Sequence, residues 1–387
     1  MLMSTTGYRR PVNRRRPPRK RRRRRLSQSP ENIRKRRRFY TICVLFLIIL
    51  IIIIATTAGH GKKKEETPAP AKPQTTTLTL APVKQNDRWG YINQTGKLVI
   101  NYKFLNASSF GPNGMAAVED ENQNWGYINT KGAYVIQPRF KGDAYGSAPV
   151  GMFTANGLAP YKDPTSGKYG FINTKGSTAI QATYDNVREF ADNGLAAVCQ
   201  NGLWGYIDKN GSTVLPLKYA DAGDFGDNGY APVKTNSGSY YSYIDRSGKE
   251  VISASFLQAY PFHHGLAAVQ MSSGVYQYID KSGLPKFTQT FISLTNGHIQ
   301  STPFAGSFAA NGLAPATQGT GTCGYINTSG SFAIDPQFYR ADNFSDCGLA
   351  AIETKDYLWG FIDKSGQTVI TPQYQDVGSF TQVVITK

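Results

Sequence analysis

The sequence predicts an all-β fold made of eight tandem β-meander repeats, preceded by one transmembrane helix and a disordered basic tail. Three observations predict it. A five-residue phrase recurs eight times, turn residues follow each copy at a fixed distance, and one long apolar segment near the N-terminus carries no charge. Self-similarity at a period of about 36 residues is typical of repeat architectures.

The recurring phrase is Trp-Gly-Tyr-Ile-Asn/Asp. All four tryptophans of the chain stand at its first position, Ile stands at the fourth position in every copy, and Asn or Asp follows. The glycine after Trp indicates close approach of a neighbouring strand or ring. The copies begin at Trp89, Trp125, Tyr169, Trp204, Tyr241, Tyr276, Cys323 and Trp359.

Each copy reads as three strands joined by tight turns. In the fourth copy, the apolar run 194–198 is a first strand and Trp204–Asp208 a second. Asp208 to Gly211 form a turn, because the Asx side chain can bond the backbone two residues on and Gly supplies a positive φ. Val214 begins a third strand, which gives a β-meander.

A three-stranded meander is marginally stable alone, so the eight units must stack and share their apolar faces. The array can be a closed, propeller-like ring or an open array. Leu80–Val83 supplies a first strand to the first copy, and Val383–Ile385 looks like a surplus strand that caps an open array or locks a ring. The short units favour an open or incompletely closed array.

The segment 39–59 carries no charge and predicts a transmembrane helix. About 21 residues at roughly 1.5 Å each reach about 31 Å, the thickness of a bilayer core. Arg-rich blocks precede it, so the N-terminus is expected in the cytoplasm and the repeats outside the cell. A cleaved signal peptide is the alternative, but the apolar run and the basic region are too long for one.

The positive charge belongs to the tail. Seventeen Lys or Arg and only Glu31 precede Phe39, and the whole chain is +17, so the remainder is close to neutral. Residues 1–38 are predicted to be a disordered cytoplasmic tail, 60–77 a Pro/Thr-rich linker and 78–387 the repeat domain. The tail is expected to lie on anionic lipid headgroups. Nucleic acid or another polyanion is the less favoured partner, because no aromatic residues interleave the arginines.

The sequence predicts no catalytic residue, no cofactor and no metal site. His263 and His264 would point to opposite faces of a strand. Asp208, Asp245, Asp280 and Asp363 occupy a turn position that Asn fills in the other copies, so they are interpreted as turn caps rather than acid–base groups. Cys323 and Cys347 fall in one repeat, and whether they pair is left open.

Two insertions lengthen the spacing between copies, around residues 142–155 and 288–306. Insertions in repeat proteins map to loops and often carry binding. The candidate ligand-binding residues are therefore Tyr145, Phe153, Phe291 and His298, of which Phe291 is expected to be exposed.

The repeated pattern resembles the bacterial WG-repeat family, also called KWG repeats. It is clearest in Trp359–Tyr374 and runs from about Leu80 to the C-terminus. The fifth, sixth and seventh copies depart at the Trp-Gly position, so packing there should differ. The resemblance implies an all-β, often surface-exposed repeat protein, and it implies no particular reaction or ligand.

The expected function is a membrane-tethered extracytoplasmic module that binds or scaffolds a protein or a cell-envelope polymer. The alternative is a glycan-binding surface protein that uses strand aromatics, and a third, less favoured hypothesis is an enzyme. Exposure of the tryptophans separates the first two. Buried rings favour a scaffold, whereas an exposed ladder favours stacking on sugars.

Overall fold

The computed structural model describes residues 40–50, 75–142, 148–272, 275–292, 306–317 and 321–386. Residues 40–50 form a helix. Across these ranges, no helix is both long enough and apolar enough to cross a membrane. The rest of the predicted span, residues 39 and 51–59, and most of the predicted linker lie outside the described residues. The repeats belong to one compact unit, Pro73–Lys387.

Short antiparallel strands make up the repeat domain, as the sequence predicts. The strands of the first four repeats are β1 (Thr75–Gln85), β2 (Arg88–Asn93), β3 (Leu98–Phe104), β4 (Asn106–Ala107), β5 (Met115–Glu119), β6 (Asn124–Asn129), β7 (Tyr134–Lys141), β8 (Leu158–Lys162), β9 (Tyr169–Asn173), β10 (Thr178–Tyr184), β11 (Asn186–Val187), β12 (Leu195–Gln200), β13 (Leu203–Asp208) and β14 (Thr213–Ala222).

The last four repeats continue the same order. Their strands are β15 (Ala231–Thr235), β16 (Tyr241–Ile244), β17 (Glu250–Phe256), β18 (Gln258–Ala259), β19 (Leu266–Ser272), β20 (Val275–Asp280), β21 (Phe291–Ile292), β22 (Leu313–Thr317), β23 (Cys323–Asn327), β24 (Phe332–Phe338), β25 (Arg340–Ala341), β26 (Ala350–Glu353), β27 (Trp359–Ile362), β28 (Thr368–Tyr374), β29 (Asp376–Val377) and β30 (Thr381–Thr386).

Repeat four shows how one unit is built. β12 pairs with β13 in antiparallel register from Leu195↔Asp208 to Gln200↔Leu203, and β13 pairs with β14. The Asp208 carboxylate accepts hydrogen bonds from the backbone N–H groups of Asn210 and Ser212, both at 2.9 Å. Gly211 closes the turn at φ +80°, a conformation that L side chains rarely adopt. The predicted turn cap is confirmed.

The glycine after Trp lets the third strand approach the second. A Cβ placed on Gly126 would lie 2.6 Å from the Ile136 carbonyl oxygen and 2.8 Å from the Pro138 nitrogen. The same backbone clash would occur at Gly90, Gly170, Gly205, Gly324 and Gly360. These contacts arise where the third strand is irregular and bends over the second. The close approach expected from the sequence is confirmed, and the third strand of the same repeat makes it.

Consecutive repeats are joined by backbone pairing. After the third strand of repeats one, two, three, five and seven, the chain continues into a two-residue strand, or a single bridge, that pairs with the first strand of the next repeat. In repeat four this continuation is the end of β14 itself. The first residue of the continuation often makes a polar contact with the side chain opposite it. The Asn106 amide donates to the Glu119 carboxylate at 2.9 Å, and Arg340 Nε lies 3.3 Å from the Glu353 carboxylate. Such opposed side chains stabilise one register.

The same pairing closes the array on itself. β29 of repeat eight pairs with β1 of repeat one through Val83↔Val377 and Lys84↔Asp376. β30 then pairs with the N-terminal half of β1 over six residues, from Leu80↔Thr381 to Thr75↔Thr386. The side chain of Ile370 in repeat eight packs at Gly96 in repeat one. The side chain of Ile100 in repeat one packs in the same way at Gly132 in repeat two. The preference for an open array is therefore corrected, because the surplus strand locks a ring of repeats.

The core repeats with the strands. In each repeat, the Tyr or Phe of the phrase packs against a phenylalanine further along the chain, with ring centroids 4.6–5.0 Å apart. Six of the tyrosine hydroxyls donate to the backbone carbonyl two residues before that phenylalanine. Each apolar cluster also takes residues from the next repeat, such as Ile128 packed with Tyr91, so neighbouring repeats share one core.

Candidate functional site

The tryptophans do not form an exposed ladder. Trp89, Trp125 and Trp359 are buried, with 5–8% of their surface accessible. Trp204 is partly buried, and the guanidinium of Arg188 lies 5.4 Å from the centre of its ring. Three of the four rings are therefore occupied by packing within the repeats. This geometry favours a scaffold over stacking of sugars on the strand aromatics.

Of the four candidate ligand-binding residues in the insertions, the structure describes two, and both are buried. Phe153 is fully buried on Tyr127, and Phe291 is 3% exposed against Tyr278. The expectation that Phe291 is exposed is corrected, because both rings belong to the apolar core. Tyr145 and His298 lie outside the described residues, so their role stays a prediction.

Phe153 has a position that the sequence could have revealed. In repeats without an insertion, the buried phenylalanine follows the phrase tyrosine by 19 residues, as Phe225 follows Tyr206. An insertion before Phe153 lengthens this distance and hides the match. The signal that identifies Phe153 as the core residue is the Asn156-Gly157 turn after it, which also follows Phe225 as Asn228-Gly229.

The turn carboxylates are not placed for acid–base chemistry. Hydrogen bonds from Ser212 and Asn210 hold the pKa of Asp208 below its usual range, and the Ser365 hydroxyl and backbone N–H do the same for Asp363. A carboxylate with a lowered pKa stays ionised and accepts hydrogen bonds, as a turn cap does. Across the described part of the chain, no group of three or more His, Cys, Asp or Glu is placed to hold a metal ion. Cys199, Cys323 and Cys347 are free thiols there.

A first polar cluster joins repeats three, four and five. Arg188 donates from Nε to the Ala222 carbonyl at 2.8 Å, and its Nη2 lies 3.7 Å from the Asp221 carboxylate. The Tyr241 hydroxyl donates to the other oxygen of Asp221. Burial raises the pKa of Asp224 nearby, and one of its oxygens has no hydrogen-bond partner. Arg188 distinguishes this junction, because no other repeat carries an arginine at the matching position.

A second polar cluster lies where the ring closes. Arg340 pairs with Glu353, and the negative charge of Asp376 disfavours ionisation of Asp342. Burial, together with the charge of Asp376, raises the pKa of Asp342 to about 6, while Arg340 opposes the shift. Perturbed carboxyls of this kind are enriched at functional sites. The sequence analysis missed both clusters, because their members are far apart in the chain and show no shared spacing.

Replacing Asp342 by Asn should stabilise the protein at pH 7 and not at pH 4. The pKa of Asp342 rises from 3.8 to about 6, so the folded chain binds this proton more tightly than the unfolded chain does. Ionisation therefore costs stability progressively as the pH rises through that range. We expect Asp342→Asn to raise the free energy of unfolding by on the order of 1 kcal/mol at pH 7. Urea unfolding at both pH values measures this, with Asp346→Asn, four residues further along the chain, as the control. Equal effects of Asp342→Asn at pH 4 and pH 7 would contradict the assignment.

The fold and its clusters define the class of protein. Eight short-stranded units close into a ring with propeller-like structural neighbours, and the residues shared by the units form the core and the turns. Beyond that class, the chain belongs to the WG-repeat family. The model of the WG containing repeat matches residues 89–123, 125–163, 169–204, 204–238, 241–273, 324–357 and 359–382. The sixth copy, around Tyr276, falls between these segments, yet β19 and β20 pair there as in the other repeats.

Solved structures share the fold at low sequence identity. Dihydro-heme d1 dehydrogenase NirN in complex with DHE matches with a TM-score of 0.51 and 11% identity, over 83% of this chain and 79% of that one. A eukaryotic initiation factor matches with a TM-score of 0.50 and 11% identity, over 79% of this chain and 98% of that one. At this identity the likeness concerns the fold alone. No curated protein matches the sequence.

Proposed function

We propose that this protein is a membrane-tethered, extracytoplasmic repeat module that binds or scaffolds a protein or a cell-envelope polymer. The observation that carries the proposal is the closed ring, in which the residues shared by all repeats are used for the core and the turns. The side chains that differ between repeats are therefore left to make contacts with a partner. The proposal assigns the protein no catalytic role.

The tether is supported by the sequence. Residues 39–59 carry no charge, seventeen Lys or Arg precede them, and the repeats follow a Pro/Thr-rich linker. This charge asymmetry supports a cytoplasmic tail, which would lie on anionic lipid headgroups. Protease added to intact cells should digest the repeat domain and spare the tail. Protection of the repeats in intact cells would contradict the tether as proposed.

Quenching of tryptophan fluorescence tests the scaffold reading against the sugar-stacking alternative. We expect the full-length chain in detergent to show blue-shifted emission that iodide quenches only in part, because Trp204 alone is partly exposed. Trp204→Tyr, which introduces the residue that other copies carry at this position, should remove most of the quenchable fraction. Cell-wall glycan fragments should leave the three buried tryptophans unchanged.

Emission that iodide quenches fully, and that shifts to saturation with a glycan in both the native chain and the Trp204→Tyr variant, would overturn the scaffold reading. Stacking on the strand aromatics would then be the function. Trp125→Tyr serves as the matched buried substitution, since the same residue change there should leave the quenchable fraction as it is in the native chain.

A further inference from the structure

A pocket of about 550 Å³ lies at the junction of repeats four and five. We call it the junction pocket. Its buried side is formed by Tyr219 of β14 and Ser242 of β16, and its exposed rim includes Lys218, Asn236 and Glu250. Its volume falls within the range of pockets that hold small molecules in proteins.

The junction pocket is lined where repeat five departs from the pattern. Ser242 occupies the position of the glycine whose Cβ would strike the third strand in six other repeats. It is 1% exposed and places a hydroxyl group beside Val233, its partner in register. A buried polar side chain costs stability unless it is satisfied, and six of the other repeats avoid one by carrying glycine here. Serine in place of glycine at position 242 is therefore explained if its hydroxyl group forms a hydrogen bond with a molecule in the pocket.

Tyr219 supplies the second, independent observation. Its matching residue is phenylalanine in repeats one, two, five, six and seven, so the core does not require a hydroxyl there. The Tyr219 hydroxyl is nevertheless buried and has no hydrogen-bond partner. It lies close to Gly248, which also lines the pocket. A buried hydroxyl without a partner costs stability, and a bound polar group can recover that energy.

The chemistry of the lining selects the ligand. One cation, Lys218, and one anion, Glu250, stand on the rim, so the pocket carries no net charge. Thr235, Asn236 and Ser242 add neutral hydrogen-bonding groups. A strongly charged ligand would leave one of the two rim charges opposed, whereas a neutral ligand rich in hydroxyl groups can bond to both. We propose that the junction pocket binds a neutral, polyhydroxylated molecule of the size of one hexose.

This inference goes beyond the proposed function, and its failure would leave the scaffold reading untouched. It is also distinct from stacking on the strand tryptophans, because it uses one pocket with buried hydroxyls rather than a repeated aromatic surface.

Titration of the full-length chain in detergent with glucose and N-acetylglucosamine tests it. Isothermal calorimetry should give a Kd on the order of 1 mM, as expected for a ligand of about 12 to 15 non-hydrogen atoms. The emission of Trp204 should change in parallel, because Trp204 lies opposite Tyr219 in the register of β13 and β14. Glucuronate and glucosamine are the charged probes and should bind more weakly.

Two variants locate the binding. Tyr219→Phe and Ser242→Gly each introduce the residue that other repeats carry, so both should fold, which circular dichroism checks. Each removes one hydroxyl and should raise the Kd about fivefold, the equivalent of one hydrogen bond. Tyr374→Phe, the same change at the matching position of repeat eight, is the control and should leave the Kd unchanged.

Binding of a neutral hexose that both pocket variants weaken and Tyr374→Phe does not would establish the site. A tetrasaccharide of N-acetylglucosamine that binds more tightly than the monomer would identify the end of a polymer as the source, and equal binding would identify a free sugar. No binding at tens of millimolar, tighter binding of a charged sugar, or variants that bind like the native chain would overturn the proposal.

Discussion

Alanine in place of Gly126 should destabilise the repeat domain by about 3 kcal/mol, the upper part of the range for overpacking a core. The added Cβ would lie 2.6 Å from the Ile136 oxygen and within 3.0 Å of the Pro138 nitrogen and Cα. These are backbone atoms, so no side-chain rotation can relieve the contact. The third strand would have to move away from β6, and Ile136 would lose its place in the shared core. Urea unfolding, followed by tryptophan fluorescence, measures the change.

The matched control is Ser242→Ala. Repeat five already accommodates a Cβ at this position, so this substitution should cost less than about 1 kcal/mol. Nearly equal losses for Gly126→Ala and Ser242→Ala would show that the close approach of the third strand does not determine stability. A loss confined to Gly126→Ala would show that it does.

Aspartate in place of Val383 should destabilise the protein by about 4 kcal/mol, because it buries a charge where the ring closes. Val383 is 1% exposed and packs with Leu80, Phe110 and the other residues of the repeat-one core. It also pairs with Leu78 in the six-residue ladder between β30 and β1. The substitution therefore attacks both the apolar and the backbone parts of the closure.

Val384→Asp tests the same strand without the burial. This neighbour is 60% exposed, and its side chain faces the opposite side of β30. We expect a change within about 0.5 kcal/mol. If Val383→Asp lowered the free energy of unfolding as little as Val384→Asp, then β30 would not contribute to stability. The pairing of β30 with β1 would then not close the ring in solution.

The strands and turns could be predicted from the sequence because their causes are local. A turn needs an Asx cap and a glycine a few residues apart, and both recur at fixed distances, as in Asp208 and Gly211. The tight contact at Gly126 was also predictable, since only a close neighbour explains a glycine inside a strand. Each of these features can be recognised within one repeat.

The closure and the site could not be predicted, because their causes are distant in sequence. The pairing of Lys84 with Asp376 depends on how many repeats fit into one turn of the ring, which no single repeat encodes. The polar cluster around Arg188 assembles side chains from three repeats, and the unpartnered Tyr219 hydroxyl is visible only in the packed core. Phe153 was not recognised as a core residue because an insertion displaced it from the regular spacing. Phe291 keeps the regular spacing, eight residues after Gly283 as Phe104 follows Gly96, and was assigned to the insertion that begins beyond it.

The pairing of β1 with β29 and β30 also fixes an order of events during translation. The middle repeats can dock on one another as they leave the ribosome, since each finds its neighbour within a few dozen residues. The first repeat cannot be completed in this way, because the strands that pair with β1 are among the last to be made. Until then, the outer part of β1 is an unpaired edge, which is a site where wrong partners can add. Its threonine-rich start, Thr75-Thr76-Thr77, is a polar edge that makes such additions less favourable.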